Sequence, residues 1–352
     1  MVSDISGSNP PVYTWPQLFG KLVEGKNLAS GETAWAMENI MDGGASPSRL
    51  AAFLMGLAAK GETVEELTGL TEAMLARAHR ISVRGPALDI VGTGGDGLET
   101  LNISTMSSLV VVGAGLKVVK HGNRGASSAS GAADVIEALG VRLDLPVERV
   151  AEVADEVGIT FCFAQVFHPS MRHAAVTRRD MGIRTAFNVL GPLTNPARVG
   201  YQALGVADSR MAPLMAGVLA RRGTQALVFR GSDGRDKMTT SGPSHIWDVR
   251  EGIVTPSTVS PSDFGLDVVP VDALKGRDPS YNASVVRSVL AGDHGPVRDA
   301  VVLNAAAGMA AADTTATGLA SERIRANLDA ARYSIDSGAA SAVLDRWVEA
   351  TQ

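Results

Sequence analysis

The sequence predicts an α/β protein: a small helical domain over residues 13–86, then a larger α/β domain over 87–352 with a mostly parallel central sheet. Three observations predict it. Apolar residues recur at helical spacing from Trp15 to His79. At Pro86 the texture changes to Ala87-Leu88-Asp89-Ile90-Val91, and strands then alternate with helices. Runs rich in glycine follow directly on strands, at the ends where ligands gather in open parallel sheets.

The helical segment divides into four. Trp15, Leu18, Phe19 and Leu22 mark the first helix and Trp35, Met37 and Ile40 the second. Leu50, Phe53, Leu54 and Leu57 mark the third, and Leu67, Leu70, Met74 and Leu75 the fourth. Their ends carry the expected punctuation: Gly25, Ser30 with Thr33, Gly43-Gly44, Ser46 before Pro47, and Gly61 before Thr63 and Glu66. Beyond Pro86, strands are predicted at 87–91, 117–120, 158–163, 202–206, 225–230 and 244–249. Helices are predicted at 104–114, 131–139, 147–157, 210–222, 283–291, 296–310, 321–333 and 337–349. The stretch 181–198, with Asn188, Gly191-Pro192 and Asn195-Pro196, is an irregular insertion, and patterning leaves open whether it returns to the helical domain.

Composition narrows the function. With 352 residues, 45% hydrophobic and 20% charged, the chain is globular and large enough for two domains. A net charge of −5 with no basic patch argues against nucleic acid as a partner. Cys162, the single cysteine, forms no intramolecular disulfide and sits between Phe161 and Phe163 as a buried strand residue. Residues 1–12 read as a flexible tail with no basic start or apolar core, hence no targeting peptide. The longest apolar run, 109–119, is broken by Lys117 and too short for a bilayer, so a cytoplasmic location without membrane contact is expected.

Three motifs carry the chemistry. Gly92-Thr93-Gly94-Gly95-Asp96-Gly97 leaves the first strand of the sheet, and its glycines can turn successive N–H groups into one hollow for an anion; the bland alternative is a plain turn. It matches neither the dinucleotide fingerprint nor the Walker loop. Asn102-Ile103-Ser104-Thr105 opens an apolar helix, where hydroxyls and free N–H groups meet, whether as simple caps or as a second anion site. Lys120-His121-Gly122-Asn123-Arg124-Gly125-Ala126-Ser127-Ser128 follows the strand predicted to end at Val119. It brings a cation, amide donors and hydroxyls of the kind a phosphorylated sugar needs.

In these motifs, with Phe167-His168-Pro169, Arg172-His173 and 187–196, nearly the whole chain resembles the anthranilate phosphoribosyltransferases. The resemblance implies a nucleoside phosphorylase/phosphoribosyltransferase-like fold: a helical domain hinged to an α/β domain, the active site in the cleft, and a homodimer through the helical domains. It implies 5-phosphoribosyl 1-pyrophosphate as donor, held by Gly92, Gly95, Asp96, Thr100, Asn102, Ile103, Ser104, Thr105, Lys120 to Ser128, and Ala132, where the family often has serine. It implies anthranilate as acceptor, against Gly92, Asn123 and Arg178, the last presenting its guanidinium to the acceptor carboxylate. One or two Mg²⁺ ions are expected, with Ser104 and Asp236 as ligands. Catalysis is expected from Lys120 and Asp96, with Lys120 and Mg²⁺ drawing off the leaving pyrophosphate.

One position departs from the pattern. Gly231-Ser232-Asp233-Gly234-Arg235-Asp236-Lys237 has lysine where the family places a glutamate ligand, and a hard dication prefers oxygen ligands. Three readings follow. Lys237 points to solvent while Asp236 and Asp233 hold the metal; it replaces one Mg²⁺ as a fixed cation; or the chain is a paralogue for another aromatic acid or a weakened donor-binding protein. A nucleoside phosphorylase is the remaining rival, separated by uptake of phosphate instead of release of pyrophosphate.

Overall fold

A computed structural model describes residues 13–125 and 129–352. The tail reading for 1–12 and the donor contacts expected at Ala126, Ser127 and Ser128 lie outside the described residues.

The helical pattern folds as α1 (Trp15–Val23), α2 (Ser30–Met41), α3 (Pro47–Lys60) and α4 (Val64–Ala76). Ser46 caps α3 by accepting from the Arg49 N–H. Thr63 and Glu66 form a reciprocal capping box on α4. Gly69 shows why the bundle closes tightly: a Cβ there would lie 2.0 Å from the Ser30 carbonyl oxygen, so α2 and α4 meet backbone to backbone. Each helix turns its apolar stripe inward, with Leu18, Met37, Phe53 and Leu70 fully buried.

The α/β part runs β1 (Leu88–Gly92), α5 (Ile103–Gly113), β2 (Val118–Gly122), α6 (Ala132–Ala138), α7 (Val147–Val157) and β3 (Ile159–Phe163). It continues through the one-turn helix α8 (Ala164–Phe167), α9 (Arg172–Met181), the short α10 (Phe187–Leu190), β4 (Tyr201–Gly205), α11 (Met211–Arg222) and β5 (Gln225–Gly231). A hairpin of β6 (Ser244–Arg250) and β7 (Ile253–Val259) precedes α12 (Pro279–Leu290), α13 (Pro296–Ala312), α14 (Ala320–Asp336) and α15 (Ala339–Ala350). The seven strands lie in the order β3-β2-β1-β4-β5-β6-β7; neighbours from β3 to β5 are parallel, and β6 and β7 are antiparallel additions. The sheet is mostly parallel and joined to an N-terminal helical bundle, as the pattern predicted.

Three details differ from expectation. β7 was not foreseen, because Ile253–Val259 contains Pro256 and is exposed along most of its length, so it has none of the apolar alternation that marks a half-buried strand. β2 runs on to Gly122, two residues past the predicted 117–120, which puts His121 and Gly122 inside the strand instead of in the loop beyond it. The helix expected at 283–291 begins at Pro279, capped by Asp278, whose carboxylate accepts from the Tyr281 N–H.

Helices cover both faces of the sheet. On one, α5, α13, α14 and α15 bury Leu109, Val301, Ile324 and Trp347. On the other, α11 and the bundle share a core with Phe187, Leu190 and Leu193, so the irregular stretch after α9 packs against the bundle. Since β2 and β3 extend the sheet on one side of β1 while β4 and β5 extend it on the other, the strand order reverses at β1 and β4. A crevice opens there beyond the carboxyl ends of the strands.

Candidate active site

A cleft of about 870 Å³ occupies that crevice, between the strand ends and the α4, α9 and α10 region. Its floor begins with the loop after β1. Gly94, Gly95 and Gly97 have φ near +70°, the left-handed conformation that glycine adopts without strain. Gly92, Gly95 and Asp96 line the cleft. Thr100 links two sides of the loop, donating to Asp96 Oδ2 at 3.3 Å and accepting from Arg235 Nε at 3.0 Å.

The N-terminus of α5 opens beside this loop. Asn102, Ile103 and Ser104 face the cleft, and the Asn102 side chain is fixed by Asn282, 2.9 Å away. Thr105 does not reach the cleft: it is buried behind the wall, its hydroxyl without a hydrogen-bond partner. Helical geometry turns the residue after Ser104 about 100° away from it.

From β2, Lys120 is only 1% exposed. Its ammonium donates to the Ile90 carbonyl and to Ser104 Oγ at 3.1 Å, at the junction of the first two motifs. Burial lowers its pKa from 10.5 to about 8, against the attraction of Asp89 and Asp236. Asp89, fully buried on β1, is pushed up by burial to about 6, although Lys120, the Asn195 amide at 3.0 Å and the His121 N–H all favour its charged form. Asp89 was not singled out from the sequence, since a lone acid in an apolar strand carries no signal until its partners are seen, and Asn195 was noted only as part of the irregular stretch and the run of resemblance.

From the end of β2 onward, Gly122, Asn123, Arg124 and Gly125 line the cleft, as does Ala132 at the start of α6. The Arg124 guanidinium, however, pairs with Glu137 (2.9 Å) and Asp134 (3.1 Å), and the Asp134 carboxylate also takes the Gly125 and Gly131 N–H groups. In this arrangement the Arg124 guanidinium is engaged by two carboxylates and braces the loop.

The fourth wall comes from the loop after β5. Asp236 and Lys237 line the cleft, and Asp236 lies close under two glycines: a Cβ at Gly92 would sit 2.2 Å from its Oδ2, and one at Gly205 1.7 Å from its carbonyl oxygen. Lys237 is only partly exposed, and its ammonium is turned to two carboxylates. Its ammonium stands 2.5 Å from Asp236 Oδ1 and 3.2 Å from Asp96 Oδ2. Burial would raise the Asp96 pKa, yet the Lys237 charge and hydrogen bonds from Leu98, Lys237 and Thr100 hold it below the usual range. Asp233 is turned away, ion-paired with Arg235 at 2.5 Å and accepting from Thr239, so it offers nothing to the cleft.

At the far end Arg178, on α9, is half-buried, with its guanidinium 5.7 Å from the Phe187 ring and no carboxylate partner among the described residues. Desolvation lowers its pKa. His121 and His168 lie with rings 5.1 Å apart; His121 Nδ1 meets the Gly191 carbonyl and His168 Nε2 the Thr194 carbonyl, both at 2.9 Å. Burial lowers them to about 3 and about 4, so both are neutral, and the second nitrogen of each has no donor. Arg184 also lines the cleft and donates to the Gly95 carbonyl; it lies in the irregular stretch, where no periodicity drew attention to it.

No cluster of three or more His, Cys, Asp or Glu side chains suited to a metal occurs among the described residues. The Ser104 hydroxyl at the α5 N-terminus fits one Mg²⁺ held mainly by phosphate oxygens of a substrate. Asp96 and Asp236 do not fit another, because the Lys237 ammonium stands between them.

Comparison with known proteins matches residues 16–78 to the family described as "Glycosyl transferase family, helical bundle domain" and 84–341 to "Glycosyl transferase family, a/b domain". The anthranilate phosphoribosyltransferase of Arthrobacter sp. (strain FB24) is 60% identical over 339 residues, 96% of each chain. The crystal structure of the enzyme of that name from Thermus thermophilus superposes with a TM-score of 0.88 at 41% identity, covering 95% of this chain and 99% of that one. The Saccharomyces cerevisiae enzyme in complex with PRPP and Mg gives 0.85 at 27% identity, covering 96% and 97%.

Proposed function

The chain belongs to the anthranilate phosphoribosyltransferase family, and from that premise we propose which of its residues carry the reaction. It transfers the phosphoribosyl group of 5-phosphoribosyl 1-pyrophosphate to the amine of anthranilate, giving N-(5-phosphoribosyl)anthranilate and pyrophosphate, in L-tryptophan biosynthesis. The observation that carries the assignment of residues is the convergence on Lys120 of a glycine-lined anion hollow and a helix N-terminus in one cleft.

The donor's pyrophosphate lies over Gly92–Gly97 and the α5 N-terminus, where free N–H groups and the helix dipole favour anions. Its ribose and 5-phosphate lie along Asn102, Lys120 to Gly125 and Ala132. Mg²⁺, which binds with the donor near Ser104, supplies positive charge to the leaving group. Ionisation of the anomeric C–O bond leaves its electron pair on pyrophosphate, and the Lys120 ammonium, already desolvated, meets that charge without reorganisation.

Anthranilate enters at the opposite end, with its carboxylate on Arg178 and its ring near Gly92 and Asn123. Its amine is neutral at pH 7 and needs no general base to become a nucleophile. The unpartnered nitrogens of His121 and His168 are buried in the cleft wall, so the two rings line the pocket without reaching the amine.

The reading extends to a homodimer through the helical domains, where Val23 and Met55 are exposed apolar residues, and to hinge motion of that domain over the cleft. It places the protein in the cytoplasm; no helix among the described residues is long and apolar enough to cross a membrane.

Loss of anthranilate fluorescence on mixing with donor and Mg²⁺, with equimolar release of pyrophosphate, is the expected result. Unchanged fluorescence without pyrophosphate would refute the reading. Consumption of inorganic phosphate in the presence of a nucleoside would favour the phosphorylase instead.

A further inference from the structure

Asp96 and Asp236 reach the same point of the cleft from different strands, one on the loop after β1 and the other on the loop after β5. Two carboxylates facing a pyrophosphate site are the oxygen set that Mg²⁺ ordinarily takes. Here that point is filled by the chain itself. The Lys237 ammonium lies 2.5 Å from Asp236 Oδ1 and 3.2 Å from Asp96 Oδ2, and its side chain is 14% exposed against 7% and 11% for the two acids.

The other carboxylate oxygens are also engaged. Asp236 Oδ2 accepts from the Gly94 N–H at 2.7 Å. Asp96 Oδ1 accepts from the Leu98 N–H at 3.0 Å, and its Oδ2 takes the Thr100 hydroxyl at 3.3 Å. All four oxygens therefore have protein donors. Gly92 and Gly205 press Asp236 into place, so the group cannot swing away without moving its loop. Asp233 is spent on Arg235 and adds no further ligand.

A dication could bind between these two acids only by displacing the ammonium from both of them, since the same-sign charges would otherwise lie within contact distance in a partly buried setting. We propose that Lys237 is a built-in counter-cation: it occupies the seat between Asp96 and Asp236 that a second Mg²⁺ would take, and the donor complex holds one Mg²⁺ per chain. The ammonium then borders the bound pyrophosphate permanently, whatever the metal concentration. This rests on the donor-binding reading above and deepens it, and the ion pairs speak against the possibility that Lys237 points to solvent.

The test counts metal instead of turnover. The full chain is saturated with 5-phosphoribosyl 1-pyrophosphate in Mn²⁺, free Mn²⁺ is read by electron paramagnetic resonance, and bound donor is measured separately by equilibrium dialysis with labelled material. One Mn²⁺ per bound donor is expected for the wild type, after correction for metal on free donor, and a second in Lys237→Glu. Lys237→Gln, which removes the charge without adding a ligand, should keep one Mn²⁺ and bind donor about tenfold more weakly, the loss expected for one charged hydrogen-bond partner.

Two Mn²⁺ in the wild type, or donor affinity unchanged in Lys237→Gln, overturns the proposal even should the glutamate variant fail to fold. Absence of donor uptake by the wild type overturns the functional reading, and this inference with it. Donor uptake with two metals overturns this inference alone.

Discussion

Replacing Lys120 with Met separates what the ammonium does for the reaction from what it does for the fold. Burial lowers its pKa from 10.5 to about 8, so at pH 7 holding the charged form inside costs on the order of 3 kcal/mol relative to water. Met fills a similar volume without that penalty. Asp89, already raised to about 6, then loses its nearest cation and takes up a proton, which offsets about 1–2 kcal/mol of the gain. The variant should be as stable as the wild type or up to about 2 kcal/mol more stable, a rise of a few degrees in Tm. Turnover should drop by about 10²–10³, the loss typical of removing one preorganised stabiliser of developing charge.

The wild type carries a further signature. Between about pH 8 and 10.5 its folded state has released the Lys120 proton while the unfolded chain still holds it, so this group's contribution to stability rises with pH there. Lys120→Met should lack that rise. Thermal unfolding at pH 7 and 9.5, with initial rates from anthranilate fluorescence, measures all three quantities. Near-normal turnover would refute the role in catalysis, and a Tm several degrees below wild type at pH 7 would show that the ammonium braces the fold.

Gly205→Ala should lower kcat/KM at least about tenfold, because its Cβ would fall 1.7 Å from the Asp236 carbonyl oxygen and force the loop after β5 to shift; unchanged kinetics in the folded variant would contradict the close packing. Arg178→Lys should raise the KM for anthranilate about tenfold and leave that for the donor unchanged, since the planar fork is lost; a matching rise in donor KM would place Arg178 elsewhere. Burial holds His168 near 4, so the unfolded chain takes up a proton that the folded state refuses as pH falls from 6.5 toward 4. His168→Asn should therefore lose less stability than wild type over that interval in acid titrations followed by circular dichroism, and an equal loss would show that the ring is not held neutral.

The segments that line the cleft were legible because they stand out in local composition: glycines after β1, hydroxyls at the α5 N-terminus, and a cationic run at β2. Helices α1 to α4 were legible from period and caps. What escaped depends on contacts between distant segments. Asp89 reads as an odd member of an apolar strand until Lys120 and Asn195 meet it. The 181–198 stretch has no period, yet Phe187 and Leu190 join the bundle's core. Lys237 was visible as a departure from pattern, but only the positions of Asp96 and Asp236 reveal where its ammonium goes.

The β6–β7 hairpin settles how the sheet ends. Its outer strand bears Pro256, opposite Trp247, amid serine and threonine side chains open to water. An incoming strand would find one N–H donor missing and little apolar surface to cover, so this border discourages lateral polymerisation. The outer edge of the sheet is thus a poor template for a further strand.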